Sequence, residues 1–314
     1  MIIYGAGMAG LLAANCLRRF KPVIKEAKED LPNNHSALLR FRTPNVGTAC
    51  GIPFKKVKVS KAISYENKMY TEPTLFLSNT YSGKVTGAYE NRSINNLDTV
   101  DRYISPPNLI ELMAANCEIE FDQELTSFDI PTIDVDEEYM NPPIISTIPM
   151  PVMMDIINWE DKPSFRYKKI WTHTGTITDP EVDVYQTIYY PNPMQDFYRI
   201  SVIGNIVIAE YSKQPDVAPG PSLFGALAEG FGIKPERIAD IKSSEQKYGK
   251  ILPIEESVRR KFIHHLTEQH GIYSLGRFAT WRQLLLDDVV NDISVIEKFI
   301  VRSDPYERSL HNNY

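Results

Sequence analysis

Three glycines spaced as Gly5-Ala6-Gly7-Met8-Ala9-Gly10 stand at the start of the chain and constrain its fold more than any other feature. Ile2-Ile3-Tyr4 precedes them as a short apolar strand. Leu11, Leu12, Ala14, Cys16 and Leu17 follow at helical spacing and lead to Arg18-Arg19, cations suited to the negative end of a helix dipole. Pro22 ends the connection, and Val23-Ile24-Lys25-Glu26 reads as a second strand. Each glycine has its own reason. Gly5 permits the tight turn, Gly7 lets the backbone approach a pyrophosphate, and Gly10 lets helix and strand pack closely. Glu26 lies 21 residues after Gly5, near the spacing of about 20 at which an acid accepts hydrogen bonds from a ribose diol. The helix N-terminus presents N–H groups and a positive dipole end to phosphates. A strand before, a helix after and an acid closing the next strand turn a weak motif into a dinucleotide-binding βαβ signature.

The chain has 314 residues, enough for about two domains or one large α/β unit. Its 43% hydrophobic and 24% charged residues are those of a globular protein. The net charge of −6 does not indicate a general polyanion binder. Residues 18–61 nevertheless carry eleven Lys or Arg against Glu26, Glu29 and Asp30, while residues 111–138 hold ten acids and no base. Such runs are ordinarily solvated faces. The basic one could attract a phosphate-bearing ligand, and it is the only feature that admits a nucleic-acid-tethered one. Cys16, Cys50 and Cys117 are too few and too scattered for a disulfide framework, and the six histidines include no HxH or HxxxH, so no metal is expected. No apolar run approaches membrane-spanning length, and no basic segment precedes the first apolar run as in a signal peptide. A cytoplasmic protein with no membrane partner is the expectation.

Further along, residues 33–100 suggest short strands, turns and a few helical turns. A helix is expected over 108–116, a strand over 117–121 and a buried strand between Pro143 and Pro149. Residues 165–211 look β-rich, with Gly204-Asn205 as a two-residue hairpin turn. A helix over 256–269, a strand over 272–275 and a long helix over 284–301 close the ordered chain, leaving 304–314 as a tail. The fold class expected is α/β: a Rossmann-type domain with a parallel sheet, plus a smaller substrate domain on an antiparallel sheet. The first would comprise 1–45, 101–150 and 265–303, the second 46–100 and 151–264.

The glycine motif alone does not separate FAD from NAD. Late in the chain, Ile272-Tyr273-Ser274-Leu275-Gly276-Arg277 offers a strand and a glycine turn, followed by a helix carrying Asp287. With the opening motif, Asn108–Phe128 and Ile144–Pro149, this segment resembles FAD enzymes of the amine-oxidase and UDP-galactopyranose-mutase superfamily. The stretch Gly276-Arg277-Phe278-Ala279-Thr280-Trp281-Arg282 is most similar to the mutases, as is Tyr198-Arg199-Ile200. The resemblance implies FAD as cofactor, held by Gly5, Ala6, Gly7, Met8, Ala9, Gly10 and Glu26, by Leu125 near the adenine, and by Gly276, Arg277 and Asp287. The chain departs from the mutases in three ways. It has no long helical insertion between Glu26 and Asn108, it has Trp281 and Gln283 where they carry an aromatic pair, and it has Asn33-Asn34-His35-Ser36 where glycines would stand.

On the substrate side, Arg199 lies on a strand beside Tyr198 and after the Tyr189-Tyr190 pair. It is the first candidate to hold a carboxylate or phosphate over a flavin. Arg199, Tyr190 and Trp281 are the candidate catalytic residues, and Arg40, Arg42, Arg199 and Tyr189 the candidate substrate contacts. The expectation is an FAD-dependent, amine-oxidase-like oxidoreductase acting on a C–N bond of an amine or amino-acid-like group. The substrate would be free or tethered to a larger molecule such as a modified nucleobase in DNA. The alternatives are a mutase-like, non-redox flavoenzyme acting on a sugar nucleotide and a flavin-bearing binding protein.

Overall fold

The computed structural model describes residues 1–31, 40–87, 89, 93–131, 142–180, 182–216 and 219–303. In chain order its strands are β1 (Ile2–Tyr4), β2 (Val23–Lys25), β3 (Arg40–Phe41), β4 (Lys55–Tyr65), β5 (Lys68–Tyr70), β6 (Val100–Ile104), β7 (Glu118–Glu120), β8 (Ile144–Ser146), β9 (Tyr167–Ile177), β10 (Val184–Tyr189), β11 (Phe197–Gly204), β12 (Ile206–Tyr211), β13 (Ile238–Ile251) and β14 (Ile272–Ser274).

Five of them form a parallel sheet in the order β14-β8-β1-β2-β7. A parallel sheet needs both faces covered, and alternation along each short strand supplies two cores. Ile3, Ile24 and Ile145 pack toward helix Met8–Cys16 and the long helix Leu286–Ser303, which turns Val289, Ile293, Ile296 and Ile300 inward at helical spacing. Tyr4, Ile144 and Ile272 pack on the other side with Met150, Met153 and Met154 of helix Met150–Ile156 and with Phe262 and Leu266 of helix Glu256–His270.

The second sheet runs β13-β9-β12-β11-β10-β4-β6-β3, with β5 added on β4. Its pairs are antiparallel except β10 with β4. Helix Pro221–Phe231 covers one face through Leu223, Ala226 and Leu227. Helix Leu75–Thr86 lies on the other through Leu77, Tyr81 and Val85. Lys84 of that helix donates to three main-chain carbonyls, those of Tyr190 (2.8 Å), Asn192 (2.7 Å) and Phe197 (2.7 Å). Lys84→Met leaves those part-buried acceptors without their donor and is expected to lower stability by about 2–4 kcal/mol, read from urea unfolding.

The second sheet has nine strands to the five of the first. Residues 33–100, expected as short pieces, contain the eleven-residue β4 and the twelve-residue helix Leu75–Thr86. Sheet membership also moves the expected boundaries. Arg40–Phe41 and Val100–Ile104 join the second sheet. Val46 and Cys50 of helix Asn45–Cys50, in contrast, pack in the core of the first. The stretch Asn33–Ser36, with His35, and the tail 304–314 lie outside the described residues. Among the described residues no helix is long and apolar enough to cross a membrane.

Candidate functional site

The turn after β1 is closed by its own glycines. Gly5 has φ +99, and a Cβ there would collide with Thr147 Oγ1. A Cβ on Gly10 would fall on the carbonyl of Gly5, so the helix can approach the strand this closely only without a side chain. Gly7 differs. Its φ of −70 suits any residue, and a Cβ there would have nothing within 4 Å. Nothing in the described protein demands glycine at this position; what it keeps is space against the N-terminus of helix Met8–Cys16. Glu26, at the end of β2, is buried and accepts hydrogen bonds from the N–H of Ala6 (2.6 Å) and of Lys28 (3.2 Å). A carboxylate has about four acceptor positions, so Glu26 retains capacity for a diol. Open space at Gly7, unencumbered helix geometry and a buried acid beside them fit an adenine dinucleotide. Met8 faces the core, and Ala9 abuts Gly276, whose added Cβ would come within 2.8 Å of Ala9 Cβ. Gly276, with φ +88, thus brings the late turn against the first helix. The side chain of Leu125 is core, packed with Tyr4 and Ile144, leaving only its main chain to meet a ligand.

Arg277 turns away from this cradle. Its Nη2 donates to the carbonyl of Gly249 on β13 (3.0 Å), and its buried Nε has no hydrogen-bond partner among the described residues. Burial lowers its pKa, opposed by the nearby Tyr198 hydroxyl. Asp287 serves the chain itself. It accepts from the main-chain N–H of Arg42 (3.1 Å) and from the N–H (3.0 Å) and hydroxyl (2.7 Å) of Thr43. This clamp ties the end of β3, in the second sheet, to the long helix that packs on the first. Arg42 is exposed and paired with Asp288 (2.5 Å).

Arg40 emerges from that clamp onto the second sheet. Its guanidinium donates to Thr187 Oγ1 and to Ser201 Oγ (3.2 Å), two hydroxyls that are 3.1 Å apart. It has no carboxylate partner among the described residues. Burial, with the positive charge of Arg199 nearby, lowers its pKa to about 10. Tyr189 and Arg199 are register partners on β10 and β11, and Arg199 faces Glu210 on β12. A bulge between Phe197 and Arg199 inserts Tyr198, so two consecutive side chains reach the same acid. Arg199 donates through Nε and Nη2 to the two oxygens of Glu210, and Tyr198 OH donates to Oε1 (3.1 Å). Tyr81 meets Tyr189 and Tyr198 edge-on at 5.4 and 6.1 Å. One face therefore gathers Arg40, Arg199, Glu210, Tyr189, Tyr198 and Tyr81, with Arg277 and Lys250 near Tyr198.

Two expected catalytic residues, Tyr190 and Trp281, do not lie on this face. Tyr190 points to the opposite face, its ring against Phe197 at 4.8 Å. It lines a groove of about 520 Å³ with Asn192, Gln195 and Glu229. Trp281 is core, between Phe165 and Tyr248. Strand alternation separates Tyr190 from Tyr189, a signal the sequence did carry. The roles of Glu210 and of the bulge at Tyr198 left no sequence signal.

The basic segment is not a bare positive surface. Arg19 pairs with Glu297 (3.1 Å), Lys55 with Asp183 (2.7 Å) and Lys56 with Asp101 (2.9 Å). Exposed pairs of this kind contribute little stability, but they offset part of the charge of the run.

No family model matches the chain, and no curated protein does. Solved structures do. A reduced UDP-galactopyranose mutase superposes with a TM-score of 0.61 at 15% identity, covering 90% of this chain and 89% of that one. An oxidoreductase from Methanosarcina mazei gives 0.57 at 10% identity, covering 95% and 99%. A flavoprotein/dehydrogenase from Cytophaga hutchinsonii gives 0.54 at 15% identity, covering 96% and 79%. At such identities the likeness is one of architecture, and the chain has the α/β fold of these three proteins.

Proposed function

We propose that this chain binds FAD in the Gly5–Gly10 cradle and oxidises a C–N bond of an amine or amino-acid-like substrate held against the second sheet. The observation that carries the reading is Gly7, where the protein keeps open space at a helix N-terminus beside the buried Glu26. Flavin-dependent proteins with the same fold support the choice of FAD. When bound, FAD supplies the two-electron acceptor. The chain's own residues hold and orient the substrate. Arg40, bonded to two neutral hydroxyls, offers its charge to a carboxylate. The buried Nε of Arg277 seeks an acceptor that the described protein does not provide. Tyr81, Tyr189 and Tyr198 form a buried aromatic cluster beside these groups. A substrate tethered to a nucleobase fits the same chemistry, although the internal pairing of Arg19, Lys55 and Lys56 removes part of the charge that would attract a nucleic acid.

A second reading, mutase-like use of reduced flavin on a sugar nucleotide, is favoured by the overlay on UDP-galactopyranose mutase and by Arg277 turning toward the second sheet. An anaerobic titration of the purified protein with amines and amino acids, following the visible flavin band, separates the two. Bleaching by an amine, with peroxide formed on readmitting air, is the expected result. A yellow protein bleached only by a chemical reductant, and shifted by UDP, would favour the mutase reading.

A further inference from the structure

The Arg199–Glu210 pair bears on what the site excludes, and the inference rests on the reading above that the face of β10–β12 holds the substrate. Cross-strand register places Arg199 opposite Glu210. Both oxygens of the acid are engaged by the guanidinium, through Nε and Nη2, the bidentate edge that a carboxylate or phosphate ligand would otherwise use. Tyr198 adds a third donor to the same carboxylate. Burial pushes the Glu210 carboxyl up, but the charge and hydrogen bonds of Arg199, with Lys250 behind, outweigh it and hold the group below the usual carboxylate range. The side chains are not sealed off: Arg199 is 27% and Glu210 13% exposed. The acid therefore stays ionised, partly exposed on the substrate face, occupying the Nε/Nη2 edge of the arginine. Arg40, in contrast, hydrogen-bonds only the hydroxyls of Thr187 and Ser201 among the described residues.

We propose that Glu210 is a specificity-determining residue that stands in for a ligand anion on Arg199, so that the site takes a substrate with a single carboxylate through Arg40 and rejects a diphosphate. A diphosphate spanning Arg40 and Arg199 would sit beside the Glu210 charge, where like-charge repulsion in a partly desolvated site is strong. A monoanion needs only Arg40.

The test is isothermal titration of the FAD-loaded full chain with inorganic phosphate, inorganic pyrophosphate and UDP, at low salt, for the natural protein, Glu210→Gln and the double variant R199M/E210L. The natural protein is expected to bind both probes weakly. Glu210→Gln frees the bidentate edge of Arg199 and is expected to bind pyrophosphate at least about tenfold more tightly, a gain of about 1.4 kcal/mol. R199M/E210L replaces a part-buried pair by apolar groups, a change that folded proteins tolerate, and is expected to return to the weak binding of the natural protein while binding inorganic phosphate as that protein does. A Glu210→Gln protein with intact melting that binds pyrophosphate no more tightly overturns the proposal. So does a natural protein that already binds UDP as tightly as the variant. Should Glu210→Gln fail to fold, the double variant decides: a tenfold loss of phosphate affinity would make Arg199, not Arg40, the anion anchor. Failure of the FAD reading shows separately, as a colourless protein. Any probe binding in an empty cradle is then common to all variants and cancels in their comparison.

Discussion

Gly7→Val is expected to give a folded chain that takes up no flavin. The backbone at Gly7 has φ −70, so valine meets no conformational penalty, and its Cβ finds no protein atom within 4 Å. Helix Met8–Cys16 loses a tolerated N-cap, at a cost of about 1 kcal/mol. The space that the side chain fills is the one into which a pyrophosphate must come, so FAD affinity falls by about 100-fold or more, equivalent to about 2.8 kcal/mol. The readout is flavin absorbance per protein after gel filtration, beside a thermal melt. Gly10→Val is the contrast. Its side chain collides with the carbonyl of Gly5, and the lesion is one of folding. If Gly7→Val bound FAD like the natural chain, the cradle would not be where the pyrophosphate lies.

Trp281→Ala is expected to destabilise the protein by about 3–5 kcal/mol, the cost of emptying a large aromatic site in a packed core. Trp281 is 2% exposed, and its Nε1 donates to the carbonyl of Leu252 (2.9 Å). Phe165 lies at 4.8 Å and Tyr248 at 5.7 Å from its ring. Its φ of +46 is a conformation that a bulky residue adopts only when surrounding contacts hold it there. Urea unfolding monitors the loss. A variant that kept its stability and lost only flavin reduction would return Trp281 to the catalytic group.

The first sheet was legible because its signals are local. Gly5, Gly7 and Gly10 fix a turn, the apolar pieces 2–4, 23–25, 144–146 and 272–274 are short and bounded, and Glu26 stands at a set distance. Periodicity found helix Leu286–Ser303 to within two residues at each end, and the Gly204 turn has the positive φ expected of it, +63. The second sheet was less legible because its order depends on non-local pairing. Nothing near Arg40 says that it reaches Thr187 and Ser201, well over a hundred residues away. Helix Leu75–Thr86 escaped notice because Ser, Asn, Thr and Tyr dilute its apolar face. Its buried residues include Ser78, Ser82 and Thr86, and no simple amphipathic pattern survives that. Asp287 is a cofactor candidate through the resemblance. Its partners, the main-chain groups of Arg42 and Thr43, belong to the tertiary structure alone.

The central claim is that the Gly5–Gly10 cradle with Glu26 holds FAD. The most direct measurement is a titration of flavin-free natural protein with FAD, following flavin fluorescence and heat together. Saturable binding of one FAD per chain at micromolar concentrations or below is expected, abolished by Gly7→Val in a chain that still melts cooperatively. A well-folded natural chain that takes up no FAD, or a Gly7→Val chain that takes it up unchanged, would contradict it.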